Sequence, residues 1–366
     1  MKFIYKTALF IALPLSMMLL ASSCKKDTIV PIETPTEEPA YTVPTTYVFT
    51  NVNYSGQTYR MEMLDEMVTY MKTGRVVNTT LSATTLKNMF SNTGNPFTNT
   101  VLNTSGKQLE NKCFSLDVNT IKSYMDSIAA ASTNSLNITV STTDPSRKYL
   151  LNANGFDYTE IIEKTIMGAA FYYQAMESYI NYARISTADN GTVITGQGTV
   201  MEHYWDEGFG YLGVPSDFPT NTTGIIFWGE YFNEVGTILG NKSTIMNAFI
   251  KGRAAISNKD YTTRDAQITI ISTEWEKLIA ASAIHELNEA KAEFADNAIR
   301  NHVLSEAHGF IMCLKYKTNK LITQPKIDDL IYHLGTNNNT VTTANINLVI
   351  DDLANIYGLQ SIKSIL

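Results

Sequence analysis

Three of the five histidines in this chain are followed four residues later by a glutamate: His203 with Glu207, His285 with Glu289, and His302 with Glu306. Positions i and i+4 lie one above the other on a helix, so each pair can offer an imidazole and a carboxylate to one point. With 35 acidic residues in 366, random placement gives roughly half of one such pair. Around the first pair Asp206 adds a second carboxylate at i+3, so a single helical turn presents His203, Asp206 and Glu207. One neutral nitrogen with two carboxylates suits iron, zinc or manganese. Helical bundles gather such ligands from facing helices, and His285 with Glu289 and His302 with Glu306 are the residues that would complete the shell. The alternative is a structural one, in which the same imidazoles and acids hydrogen-bond one another and order a polar patch inside the fold. Arg253, beside Gly252, is a candidate partner for Asp206 or Glu207, and a guanidinium there would fill the place of the metal.

The elements that must position these residues are helical nearly throughout. Met61, Leu64, Met67, Val68 and Met71 recur at helical spacing between a cap at Ser55 and a stop near Gly74. The stretch Tyr158 to Arg184 carries an apolar face too wide for a surface helix and is expected to run as one central helix of a bundle. A Gly- and Thr-rich break at 185–198 precedes the His203 segment. Further helices are expected over 224–239, 243–257, 262–293, 296–317, 325–333 and 344–357. Ser243 and Asp260 are the expected caps, Pro325 a first-turn residue, and Gly335 and Gly358 the stops. Alternation typical of strands is confined to Tyr47–Val52 and Leu136–Val140. The expected class is all-α, with two packed helical bundles within residues 43–366.

The N-terminus is read separately. Lys2 and Lys6 precede the apolar run Thr7 to Leu20, and Leu20-Ala21-Ser22-Ser23-Cys24 sets small residues ahead of a cysteine. This resembles a bacterial lipoprotein signal. The resemblance implies cleavage of residues 1–23, acylation of Cys24, and a mature protein anchored to a membrane in the cell envelope, on the periplasmic or outer face of the outer membrane. Residues 24–42, with Pro31, Pro35 and Pro39, read as a flexible tether. Loss of Lys2 and Lys6 lowers the basic count from 28 to 26 against 35 acids and moves the formal charge from −7 to −9. That balance, with no concentrated Lys and Arg, argues against nucleic acid as a partner. Cys113 and Cys313 are the other two cysteines; either a disulfide or two buried thiols fits them.

Catalytic readings find little support. His285-Glu286-Leu287-Asn288-Glu289 begins like the zinc-peptidase His-Glu-x-x-His signature but ends in Glu289 and so lacks the second imidazole. Gly208, Gly210 and Gly213 follow no strand and precede no lysine, and are expected to end the His203 helix and turn Phe209, Tyr211 and Leu212 onto the core. Trp205, Trp228 and Trp275 with the 20 tyrosines suggest either a glycan-binding cleft or ordinary helix packing, and the spacing favours packing.

The block Met201-Glu202-His203-Tyr204-Trp205-Asp206-Glu207-Gly208-Phe209-Gly210-Tyr211 carries a family resemblance. So do Val43-Pro44-Thr45-Thr46-Tyr47, Tyr54-Ser55-Gly56-Gln57, Gly252-Arg253-Ala254-Ala255-Ile256 and Leu304-Ser305-Glu306-Ala307. On these the chain resembles DUF4856, a family of Bacteroidetes lipoproteins, and more distantly the imelysin-like proteins, helical envelope proteins linked to iron. The resemblance implies an imelysin-like pair of bundles and a connection with iron. The imelysin Gly-x-His-x-x-Glu motif is altered here: Gly198 stands five residues before His203, and Asp206 stands three after it. Two functions are therefore expected as alternatives. One is a non-catalytic exported protein that binds iron or another transition metal through its His, Asp and Glu residues. The other is a surface module for a glycan, peptide or protein partner, with those residues purely structural.

Overall fold

Many of the helices begin where a short polar side chain accepts from the first free backbone N–H groups, which every helix start leaves without an intrahelical partner. Ser82, Asp157, Asp260, Asp296 and Thr342 do so for the helices Ala83–Ser91, Tyr158–Ile166, Tyr261–Ala292, Asn297–Cys313 and Thr343–Tyr357. Thr199 and Glu202 form a reciprocal capping box on Val200–Gly210. Pro325 lies in the first turn of Gln324–Leu334, and Gly358 closes the last long helix at φ 67°. Two expected caps fall inside their helices: Ser55 is the first residue of Ser55–Thr73, which follows Tyr54, and Ser243 is the second of Lys242–Ser257, which follows Asn241.

The computed structural model describes residues 40–366. The expected signal peptide 1–23, the lipidation site Cys24 and the tether up to residue 39 lie outside the described residues. Tyr41, at the end of the expected tether, donates to Asp260 at 3.0 Å. Among the described residues no helix is long and apolar enough to cross a membrane.

The architecture is all-α, built of packed helical bundles. Tyr261–Ala292, 32 residues long, packs along Lys242–Ser257, Asn297–Cys313 and Thr343–Tyr357, and Asn297–Cys313 packs in turn on Tyr158–Ile166. Trp205, Trp228 and Trp275 are fully buried, so their rings belong to the core and face no glycan cleft. Cys113 and Cys313 are free, buried thiols.

The expected single helix from Tyr158 to Arg184 is interrupted. After Ile166 the chain widens into π-helical turns at Met167–Tyr172 and Gln174–Tyr179, leaves helical geometry at Ile180, and restarts at Tyr182–Ile185. A wide turn releases carbonyls from the i→i−4 ladder. Here they gain partners from outside: the Trp228 indole donates to the Met167 carbonyl at 3.1 Å and the Phe114 amide to the Ala169 carbonyl at 2.8 Å. Gly168 permits this crowding, because a Cβ there would sit 2.5 Å from the Cys313 sulfur. The stretch expected as one helix over 224–239 likewise divides, into Trp228–Asn233 and Val235–Leu239 at Glu234.

A small antiparallel hairpin, Ile138–Val140 with Lys148–Leu150, sets Thr139 opposite Tyr149. Two such short strands have little stability of their own. Asp296 supplies the anchor: its Oδ2 accepts from Ser141 Oγ at 2.8 Å and from the Thr142 amide at 2.7 Å, while Oδ1 caps the next helix through Ala298 and Ile299.

Candidate functional site

The antiparallel neighbours Tyr261–Ala292 and Asn297–Cys313 bring two of the three His–Glu pairs together. His285 and Glu289 from the first helix, and His302 and Glu306 from the second, line one cleft of ≈ 650 Å³. Glu230, on Trp228–Asn233, and Glu234, at the break after that helix, close it, Glu286 adds a carboxyl to the wall, and Arg147 from the hairpin's loop is its one cationic side chain besides the imidazoles. The third pair lies elsewhere, on Val200–Gly210.

That third face is assembled around an arginine. Asp206 is fully buried, and its Oδ1 accepts from Arg253 Nε at 2.9 Å and from Tyr47 Oη at 2.6 Å. Arg253 reaches on to Glu202 Oε1 at 2.6 Å. Glu207 accepts from Gln57 at 3.0 Å, and His203 Nε2 stands 3.8 Å from Glu207. Burial pushes the Asp206 carboxyl up to about 6, against the pull of Arg253. His203, Asp206 and Glu207 therefore do not open together on a metal-sized space: a guanidinium takes the position beside Asp206, and the carboxylates answer it. Gly252 makes the approach possible. A Cβ at that position would lie 2.0 Å from the Trp205 ring, whose indole donates to the Phe249 carbonyl at 2.9 Å.

Beneath the cleft runs a buried charge network. His302 Nδ1 lies 3.0 Å from Asp157 Oδ2 and Nε2 lies 3.2 Å from Glu306 Oε1, so both ring nitrogens are engaged. Tyr149 stacks on the ring at 3.9 Å. Burial disfavours the imidazolium, but Glu160, Asp157 and Glu306 outweigh it and hold the His302 pKa well above its ordinary value. Lys164 Nζ sits 2.6 Å from Glu163, 3.2 Å from Glu160 and 3.8 Å from Glu306. Arg75 Nη2 meets Asp157 at 3.3 Å and Glu160 at 3.2 Å. Burial raises the Glu160 carboxyl to about 7 against the pull of Lys164. Burial and the charge of Glu306 drive Glu286 well above the usual carboxylate range, which makes it a donor toward Glu306.

Among the described residues, Asp157, Glu160 and His302 form the one group of three whose ligand atoms lie within 4.8 Å of each other. The donor types suit a transition metal, but the space does not. Arg75 already bridges the two carboxylates, and His302 is charged and doubly donating, so an ion would have to displace one and deprotonate the other. The cleft above fits better. His285 Nδ1 is buried without a hydrogen-bond partner and its Nε2 stands 3.7 Å from Glu234. Glu289 has a single, half-exposed contact, Arg147 at 3.3 Å. The His285 imidazole, beside Glu234, Glu286 and Glu289, offers donor types that suit a cation, and these side chains would have to draw together to hold it, since no three of their ligand atoms lie within 4.8 Å of one another.

The sequence pattern singled out Glu286 only within the peptidase-like run after His285, and it did not mark Arg75, Tyr149, Asp157, Glu160, Glu163, Lys164, Glu230 and Glu234 as members of this region. A signal existed for three of them. Glu160, Glu163 and Lys164 are charges inside a helix whose apolar face is too wide to be exposed, so they had to be buried and mutually paired.

The family model described as Domain of unknown function (DUF4856) matches residues 44–360. No curated protein and no solved structure matches the chain.

Proposed function

The chain belongs to the DUF4856 family, and from that premise we propose that it is an exported, lipid-anchored, non-catalytic protein that binds a transition-metal ion in the cleft between its two central helices. The anchoring part rests on Lys2, Lys6, the apolar run and the small residues ahead of Cys24, which together suit export to the cell envelope and acylation. One observation carries the binding part. Two His–Glu pairs on adjacent helices open on one cleft where Glu230 and Glu234 add further carboxylates, Glu286 adds a carboxyl, and only Arg147 and the His302 ring oppose them. Such a wall concentrates cations, and the imidazole of His285 biases the choice toward iron, zinc or manganese over calcium or magnesium. Absence of a second histidine at position 289 removes the ligand set of the zinc peptidases, so retention of an ion rather than hydrolysis is the function assigned.

The whole chain, purified without a histidine tag and dialysed separately against zinc, manganese and ferrous salts, tests this. About one ion per chain is expected for at least one metal. It should be lost in His285→Ala/Glu289→Ala and retained in His203→Ala. No stoichiometric retention, or equal loss in His203→Ala, overturns the reading. The rival function, a surface interaction module with a structural polar cluster, is favoured by the pairing of His302, Arg75 and Lys164 with buried carboxylates. It expects a melting temperature that added metal salts leave unchanged.

A further inference from the structure

On the outer side of the hairpin a second groove, of ≈ 720 Å³, has the opposite character. Arg75, Arg147 and Lys148 line it, with no acidic side chain among the lining residues, and Val76, Val77, Ile138 and Val140 supply its apolar surface. Val76 and Val77 are each 61 % exposed and Val140 is 43 % exposed; Leu136, next to the lining Ser135, is 89 % exposed. The strip is held in shape, since the Asn78 amide donates to Ser135 Oγ at 3.2 Å and the hairpin is pinned by Asp296. Exposed aliphatic side chains gathered beside uncompensated positive charge are not an ordinary solvated surface.

The charges are unequal in what they have left to give. Arg75 is committed to Asp157 and Glu160, and Arg147 to Glu289 and, through Nε, to Tyr149 Oη at 2.8 Å. Lys148 makes no ion pair among the described residues, so the groove carries about one uncompensated positive charge. We propose that this groove binds a small organic monocarboxylate with an apolar body, its carboxylate on Lys148 with Arg147 alongside and its aliphatic part on Val76, Val77, Ile138 and Val140. A single free cation matches a single negative charge better than a phosphate dianion. The volume lies in the range of small-molecule sites. This groove shares Arg147 with the metal cleft, whereas Lys148, Val76 and Val77 line the groove and not the cleft.

Titration calorimetry on the whole chain with octanoate, acetate and octylammonium tests the assignment. Octanoate is expected to bind with Kd about 1 mM or tighter, whereas acetate lacks the apolar body and octylammonium carries the wrong charge. Lys148→Glu and Val77→Asp, both at exposed positions, should each weaken octanoate at least about five-fold with no change in melting temperature and no change in metal retention. No octanoate binding to the folded protein overturns the proposal. So does equal affinity in Lys148→Glu, equal binding of octylammonium, or binding to anionic phospholipid vesicles without binding to octanoate. Metal retention read on the same samples keeps failure here distinct from failure of the metal cleft.

Discussion

Replacing Lys164 with methionine removes the cation that Glu160, Glu163 and Glu306 share while keeping an unbranched stem of similar length. That stem is well placed to stay: Gly309 leaves so little room that a Cβ there would lie 2.5 Å from Lys164 Cβ, and the Lys164 head lies over the rings of Tyr231 and Phe310 at 5.4 and 5.8 Å. Lys164 and Glu160 are both buried, so the loss strands carboxylates in a medium where leaving a buried charge unpaired costs about 3–5 kcal/mol. For a folded body of about 330 residues the unfolding entropy is roughly 0.7 kcal/mol/K, and the melting temperature should fall by about 4–7 °C at pH 7.5. The loss should depend on pH in a set direction. Glu160 already has its folded pKa raised to about 7, above its unfolded value, mainly by burial. Such an acid binds its proton first in the folded state, so its contribution to stability improves as pH falls from about 7 toward the unfolded value near 4.5. Without Lys164 that pKa rises further, and Lys164→Met should regain at least about half of its deficit at pH 5. Calorimetric melting of both proteins at the two pH values is the assay. A deficit below about 1 kcal/mol, or one of the same size at both pH values, refutes the claim that Lys164 neutralises a buried acidic cluster.

Asp296→Asn should cost roughly 2–4 kcal/mol at pH 7 by urea denaturation, because one carboxylate both caps Asn297–Cys313 and holds the hairpin turn. Although burial works against it, hydrogen bonds from Ser141, Ile299 and Thr142 hold the Asp296 pKa far below its ordinary value. Its stabilisation is therefore full above the unfolded pKa near 3.9 and fades as pH falls toward the folded one, so the variant should lose less than the parent below pH 4. Gly252→Ala gains up to about 1 kcal/mol of helix propensity. It also drives a methyl group to 2.0 Å from Trp205, and overpacking of that kind costs about 1–3 kcal/mol or more, so net destabilisation in urea is expected. An unchanged or raised midpoint would mean that the Trp205 ring can move.

Much of the scaffold was legible because helix ends are written locally. Asp157, Asp260, Pro325, Gly335 and Gly358 act where the chain places them, since a cap is satisfied by its own next turn. The interruption after Ile166 was not legible. Its cause is the Trp228 indole and the Phe114 amide arriving from distant segments to claim carbonyls, and helical periodicity carries no record of that. The site divides in the same way. That Arg253 would answer Asp206 was readable from a lone arginine beside a glycine. That His285 and His302 would share a cleft, while His203 stood apart, depended on which helices are neighbours. His302 meets Asp157 145 positions away in the chain, and Arg75 meets the same carboxylate from a third segment. Spacing showed which residues were able to pair within a turn, and packing decided what they paired with.

Crystals of the whole chain grown with manganese or zinc, with anomalous diffraction recorded at the metal edge, address the metal cleft most directly. The expected map has one strong peak in the cleft, about 2.0–2.2 Å from a His285 nitrogen and from carboxylate oxygens among Glu234, Glu286 and Glu289. A peak at His203 and Glu207 instead, or occupied crystals in which Arg147 still holds Glu289 and the cleft contains no metal, would contradict it.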